Sequence, residues 1–386
     1  MAKIRVLIVD DSVVIRKILT DVLKDDPDIE VAGIAANGKI ALQKITQVNP
    51  DILTMDVEMP EMNGIETMAE LRKKYPLLPV IMFSTLTQRG AEATLDALTA
   101  GANDYVTKPA NVGSVTTAID RIRAELVPKI KALVPRANAS SQAAPVSRAN
   151  APGQATPAPT APASPTFAGA RIRAADTLPS ATGARIDIVA IGVSTGGPNA
   201  LAELMPTIPR GFPVPIVIVQ HMPPMFTQTL AERLDSKCPI TVREAKDGDI
   251  LAEGGAWIAP GGFHMALTRR KTDVVVQLHQ GPPENSCRPA VDVLFRSVAE
   301  QYGAHAAGVV LTGMGQDGLR GCERIRDDQG TVFVQDERSS VVWGMPGYVA
   351  QAGLAHKILP LDQIGIELKR LVARGRPPQA AATARP

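Results

Sequence analysis

Between Pro135 and Gly183 the chain loses nearly everything that could build a core. These 49 residues are mostly Ala, Pro, Ser, Thr and Gly, with Val146, Phe167, Ile172 and Leu178 as the large apolar side chains. Such a stretch cannot bury enough surface to offset the entropy of ordering it. No single sheet or bundle can run through the middle of this sequence, so any fold must consist of two units, one on either side. Treated as a flexible chain, the stretch spans on the order of 35 to 42 Å, which leaves the two units able to touch. Its arginines, Arg136, Arg148, Arg171 and Arg173, read as solubilising charges on a tether.

The flanks have globular composition. Of 386 residues 45% are apolar and 21% charged, and 41 Lys and Arg against 39 Asp and Glu leave a net +2. That near-balance gives no reason to expect nucleic acid as a partner. No apolar run approaches the roughly 18 residues of a membrane helix, and Met1-Ala2-Lys3 leads to Asp10-Asp11 without a signal peptide's apolar segment. A cytoplasmic chain with no direct membrane insertion is expected. Cys238, Cys287 and Cys322, odd in number and widely spaced, are expected to be reduced thiols.

In the N-terminal flank, short β-branched runs (Ile4 to Val9, Glu30 to Ala35, Ile52 to Met55, Val80 to Ser84, Tyr105 to Thr107) alternate with stretches of helical period such as Met62 to Tyr75 and Gln88 to Thr99. Five βα units predict a doubly wound parallel sheet, whose functional edge lies beyond the carboxyl ends of the strands. Asp10 and Asp11 end the first run and Asp56 the third, so three carboxylates converge there. At about 4 Å and an effective dielectric near 20, each like-charge pair costs on the order of 4 kcal/mol. A divalent cation with oxygen ligands offsets that, and Mg²⁺ is the expected cofactor. Ser84 and Lys108, at the ends of the fourth and fifth runs, add a hydroxyl and a cation to the same edge.

The C-terminal flank again opens on a buried run, Ile186 to Ile191, followed by a Gly-rich turn. Val214 to Val219, Ala306 to Thr312 and Thr331 to Val334 are further strands, and Phe226 to Leu234 and Pro289 to Tyr302 are helices. A second doubly wound, mostly parallel α/β unit is predicted, with Ile240 to Leu278 as an antiparallel excursion. The turn Gly192-Val193-Ser194-Thr195-Gly196-Gly197 admits two readings. One is a phosphate cradle, although it lacks the P-loop lysine and fits the dinucleotide spacing poorly. The other raises Ser194 as a nucleophile with backbone amides nearby. Of five histidines, His221 alone follows directly on a strand run that shares Ser194's edge; His264 sits in a turn, and His279, His305 and His356 lie at the other edge. Asp317, in the Gly-rich loop after the Ala306 to Thr312 strand, is the matching acid, ahead of Asp292 and Asp336. Ser194, His221 and Asp317 would then form a triad.

Two resemblances follow from these residues. Val9-Asp10-Asp11-Ser12, Met55-Asp56-Val57-Glu58-Met59-Pro60, Met62-Asn63-Gly64, Ser84 and Thr107-Lys108-Pro109 resemble the response-regulator receiver domain. This implies that Asp56 accepts a phosphoryl group, that Asp10, Asp11, Asp56 and the Glu58 backbone carbonyl hold Mg²⁺, and that Ser84 and Lys108 contact the phosphoryl oxygens. Gly192 to Pro198, Gln220-His221-Met222-Pro223, Ile258 to Met265, Arg288 to Phe295, Leu311 to Gly318 and Trp343 to Pro346 are similar to the CheB family of chemotaxis methylesterases. That resemblance implies catalytic Ser194, His221 and Asp317, with Thr195 near the nucleophile and the Met314 amide serving the oxyanion. It further implies a phosphorylation-activated enzyme that demethylates glutamate methyl esters and deamidates glutamines on chemoreceptor cytoplasmic domains, with the chemotaxis histidine kinase as phosphodonor. The division expected is a receiver over 1–127, a linker over 128–184, a catalytic unit over 185–375 and a tail over 376–386. A phosphorylation-controlled binding module without catalysis is the alternative.

Overall fold

The computed structural model describes residues 2–108, 115–134 and 184–376. Most of the expected linker and nearly all of the expected tail, as well as Pro109, lie outside these residues.

The N-terminal unit alternates β1 (Ile4–Val9), α1 (Val13–Lys24), β2 (Ile29–Ala35), α2 (Gly38–Val48), β3 (Ile52–Asp56), α3 (Gly64–Lys74), β4 (Val80–Ser84), α4 (Gln88–Thr99), β5 (Asp104–Thr107) and α5 (Val115–Leu133). Its sheet is parallel, in the order β2-β1-β3-β4-β5. Local chemistry starts the helices: Ser12, Asn37, Asn63 and Thr87 each accept a hydrogen bond from a first-turn amide, and Asn63 forms a capping box with Glu66. Because β1 and β3 are neighbours, Asp10 and Asp56 come out side by side. Helix α5 runs on to Leu133, past the boundary expected at 127. The reason is packing: Leu126, Ile130 and Leu133 continue one apolar stripe into the core formed with Leu19 and Val106, and Pro128 is carried inside the helix.

The second unit begins with β6 (Ile188–Val193), α6 (Gly197–Leu204), β7 (Ile216–Gln220), α7 (Phe226–Asp235), β8 (Thr241–Glu244), β9 (Gly255–Ile258), β10 (His264–Arg270) and β11 (Asp273–His279). It continues through α8 (Val291–Tyr302), β12 (Ala306–Val310), α9 (Leu319–Asp327), β13 (Thr331–Gln335), α10 (Met345–Gln351), β14 (Lys357–Leu359) and α11 (Leu361–Ala373). Seven strands form one parallel sheet, ordered β14-β13-β12-β6-β7-β9-β8. The antiparallel excursion is the β10–β11 hairpin, against which Ile250 forms one further antiparallel bridge to Val275. The rest of Ile240 to Leu278 differs from expectation: β8 and β9 join the main sheet in parallel, because Val242, Ala256, Trp257 and Ile258 are buried there.

The two units meet along α4, β5 and α5. Tyr105 stacks on Phe226, ring centroids 5.0 Å apart and 8° from parallel, and one buried apolar cluster runs through Leu95, Leu98 and Tyr105 into Phe226 and Leu230. Around it, Asn199 Nδ2 donates to Leu98 O at 3.0 Å, Gln88 Nε2 to the Thr229 hydroxyl at 3.2 Å, and Arg233 pairs with Asp96. Among the described residues no helix is long and apolar enough to cross a membrane.

Candidate active site

The carboxyl edge of the seven-stranded sheet is assembled by backbone register. The Ser194 amide donates to Thr312 O at 3.0 Å, tying the end of β6 to the loop after β12, and the His221 amide donates to Val193 O at 3.2 Å, carrying the β6–β7 ladder one step past the strand. Ser194 and His221 therefore stand at adjacent strand ends. Glycine is required at the turn: Gly196 has φ of 77°, and a Cβ on Gly197 would lie 1.9 Å from Gln220 Oε1. Gln220 Nε2 also holds Ser194 O at 3.0 Å. The Ser194 side chain is half-buried, and its hydroxyl makes no hydrogen bond among the described residues.

His221 Nε2 lies 2.8 Å from Asp317 Oδ2. The Asp317 carboxylate, 2% exposed, also accepts from the amides of Val291 (2.7 Å), Asp292 (3.0 Å) and Gly318 (3.0 Å) and from Asn285 Nδ2 (2.9 Å). Burial works against its charge, but the His221 bond and the α8 amides outweigh that and hold the carboxyl below its ordinary range. Burial likewise disfavours a charged His221, yet the hydrogen bonds to Asp317 and Cys287 prevail and raise its pKa above the ordinary imidazole range. With Nε2–H given to Asp317, Nδ1 is the nitrogen left to accept a proton, and Cys287 Sγ stands 3.5 Å from it.

The other candidates fall away from this contact. His264 is buried, donates Nε2–H to Pro282 O at 3.0 Å and accepts from the Ala290 amide at Nδ1, a neutral structural role that burial reinforces by lowering its pKa. Asp336 caps its own turn through Ser339, and Asp292 accepts the Gly321 amide at 2.7 Å. Thr195 is buried and its carbonyl accepts the Thr312 hydroxyl at 2.9 Å. The Thr195 and Met314 amides donate to no partner among the described residues. Sequence reasoning assigns no site role to Asn285, Cys287 or Gln335, which seats the Thr312 amide at 2.8 Å; the available signals are that Cys287 immediately precedes Arg288-Pro289 and that Gln335 opens a stretch similar to the family.

A cleft of about 320 Å³ separates the units at this edge. His221, Cys287 and Arg288 line one wall, and Tyr105, Arg121 and Lys129 the other.

At the receiver edge, Asp10, Asp11 and Asp56 bring ligand oxygens within 4.8 Å of one another. Lys108 Nζ lies 2.7 Å from Asp56 Oδ2 and 3.1 Å from Asp10 Oδ2. Burial pushes the Asp56 pKa up to about 6 against the opposing pull of Lys108, and raises Asp10 as well. Ser84, at the mouth of the same pocket, directs its hydroxyl to Gly90 O at 3.1 Å. The Glu58 amide lies 3.4 Å from Asp56 Oδ1, and the Glu58 carboxylate pairs with Arg89.

Comparison with known proteins places both units in known families. Residues 6–120 match the response regulator receiver domain family, and residues 189–368 match the CheB methylesterase family. A protein-glutamate methylesterase/protein-glutamine glutaminase of Trichodesmium erythraeum is 54% identical over 96% of this chain and all of its own length. A relative of the same description from a Nocardioides species is 50% identical over 98% of each chain. The crystal structure of the Thermotoga maritima CheB methylesterase catalytic domain is 44% identical, covering 49% of this chain and all of that one, with a TM-score of 0.48. The chain therefore belongs to the CheB family, as a protein-glutamate methylesterase with an N-terminal receiver domain.

Proposed function

We propose that the esterase works through Ser194 as nucleophile, His221 as base and Asp317 as the acid that orients the imidazole. The observation that carries this is the 2.8 Å contact of His221 with Asp317 on the strand end adjoining Ser194. In the first step the Ser194 oxygen bonds to the side-chain carbonyl carbon of a methylated glutamate while its proton passes to His221 Nδ1. Oxyanion charge develops near the Thr195 and Met314 amides, and loss of such a donor costs about 3 to 4 kcal/mol of barrier. The C–O bond to methanol then breaks as His221 returns the proton, and water, deprotonated by the same nitrogen, releases free glutamate from Ser194. A glutamine side chain passes through the same intermediate with ammonia as the leaving group, in keeping with the second activity in the relatives' names.

The substrate is a chemoreceptor cytoplasmic domain, the phosphodonor a chemotaxis histidine kinase, and the compartment the cytoplasm. Asp56 takes the phosphoryl group, with Lys108 and Ser84 as its partners. Asp10, Asp11, Asp56 and the Glu58 carbonyl would hold Mg²⁺: three close carboxylates, two of them with raised pKa, suit a hard divalent cation. When bound, the ion supplies charge neutralisation for the incoming phosphate. The working division is a receiver over 1–127 with α5 extending it, a catalytic unit over 185–375, and 128–184 joining them. The receiver wall of the cleft faces His221, so the unphosphorylated form keeps substrate out; a tethered partner at mM effective concentration needs only a weak contact to do so.

Ser194→Ala, assayed by methanol release from methylated receptor membranes with a phosphodonor present, should lose nearly all turnover while melting normally. Retained release would exclude Ser194.

A further inference from the structure

The loop Glu284 to Cys287 is a two-residue hairpin turn. Glu284 and Cys287 exchange both backbone hydrogen bonds (3.1 and 2.9 Å), and the central Asn285 and Ser286 have φ of 52° and 63°, the pairing of a type I′ turn. The Glu284 carboxylate clamps the turn to α8 through two 2.6 Å bonds to Arg296. The turn aims Asn285 at two buried carboxylates. Asn285 Nδ2 is 2.9 Å from Asp317 Oδ1 and 2.9 Å from Asp292 Oδ2, so both of its N–H bonds are spent on them.

We propose that Asn285 is a positioning residue for the catalytic acid: its amide bridges Asp292 and Asp317, holding Asp317 ionised with Oδ2 turned to His221. The inference rests on the triad reading above. Asp292 and Asp317 are each 2% exposed and repel one another, and among the described residues Asn285 is the side-chain donor they share. Oδ1 of Asp317 is fixed by Asn285 together with the Asp292 and Gly318 amides, which leaves Oδ2 to the imidazole and the Val291 amide. An amide suits this task better than a lysine or arginine would. A cation there would neutralise Asp317 and weaken its support of the imidazolium, whereas a neutral dipole holds the carboxylate and leaves its charge available to His221.

Asn285 itself is exposed at the rim, and glycine and aspartate both tolerate its backbone conformation. In the full chain with a phosphodonor, Asn285→Gly should lower kcat/KM about 10- to 100-fold, as loss of an outer partner does at other catalytic ligands, with KM little changed. In an Asp317→Asn background the same substitution should cost less than about twofold, because the two act as one unit. Asn285→Asp should recover part of the wild-type activity at acid pH, where its carboxyl keeps one proton to donate to one of the two carboxylates. Its rate relative to wild type should then fall as pH rises and three carboxylates crowd together. Asn285→Gly within about twofold of wild type, an equal loss in the Asp317→Asn background, or an Asn285→Asp deficit that ignores pH would overturn the inference. If Ser194→Ala stays active, the triad reading fails instead; if Ser194→Ala is dead and Asn285→Gly is not, only this inference fails.

Discussion

The stack of Tyr105 on Phe226 joins the receiver to the esterase unit, and if the receiver restrains catalysis as proposed, its removal has a calculable effect. Tyr105 is 5% exposed and Phe226 fully buried, with centroids 5.0 Å apart. Such a pair contributes about 0.5 to 1.5 kcal/mol beyond the area it buries. If that energy favours only the closed arrangement, Tyr105→Ala should raise the basal rate about 2- to 12-fold without any phosphodonor, since 1.4 kcal/mol is a factor of ten. Methanol release from methylated receptor membranes is the assay, and wild type and variant should converge once saturating phosphodonor has opened both. Tyr105→Phe keeps the ring and should keep the low basal rate. An unchanged basal rate in Tyr105→Ala, with normal melting and normal activation, would refute the idea that this contact restrains the enzyme. A rise of equal size in Tyr105→Phe would transfer the effect from the ring to the hydroxyl.

Other consequences can be measured in the same protein. Asp56 has its folded pKa raised from 3.8 to about 6, so the native state is favoured below the unfolded pKa and loses that advantage as pH climbs to about 6. Asp56→Asn should therefore stabilise the fold at neutral pH by up to about 3 kcal/mol, and melting curves of variant and wild type should converge at acid pH; Mg²⁺ should raise the wild-type Tm more than the variant's. Cys287 helps to raise the His221 pKa, so Cys287→Ala should move the rising limb of the pH–rate profile to lower pH, and a limb that stays in place would separate the thiol from the base. Asp317→Asn should cut kcat about 10⁴-fold through loss of the correct imidazole tautomer, a drop that steady-state kinetics would register at once.

What could be read from residues alone follows from how α/β sheets are wired. Asp10, Asp56, Ser84, Ser194 and His221 each follow or end a β-branched run, and parallel order forces such positions onto one edge of their sheet, so strand ends alone brought these groups together. Asp317 was reachable by the same logic, as the acid in the loop after β12. Asn285 was not, because its place depends on a turn clamped by Arg296 and on two carboxylates that meet only after α8 has packed. The parallel pairing of β8 with β9 was equally hidden: short runs broken by glycines carry no mark of strand direction. Nor did Pro128 reveal that α5 continues, since the pull of Ile130 and Leu133 into the core is a tertiary effect. The interface between the units lay furthest from view, for nothing in Tyr105 or Phe226 announces that each will find the other.

The ladder that carries His221 one step past the end of β7 gives the enzyme an unusual freedom. Because the spacing of serine and histidine is dictated by how far apart neighbouring strands lie, segments that do not touch Gly196, Gly197 or Gln220 are released from the task of measuring it.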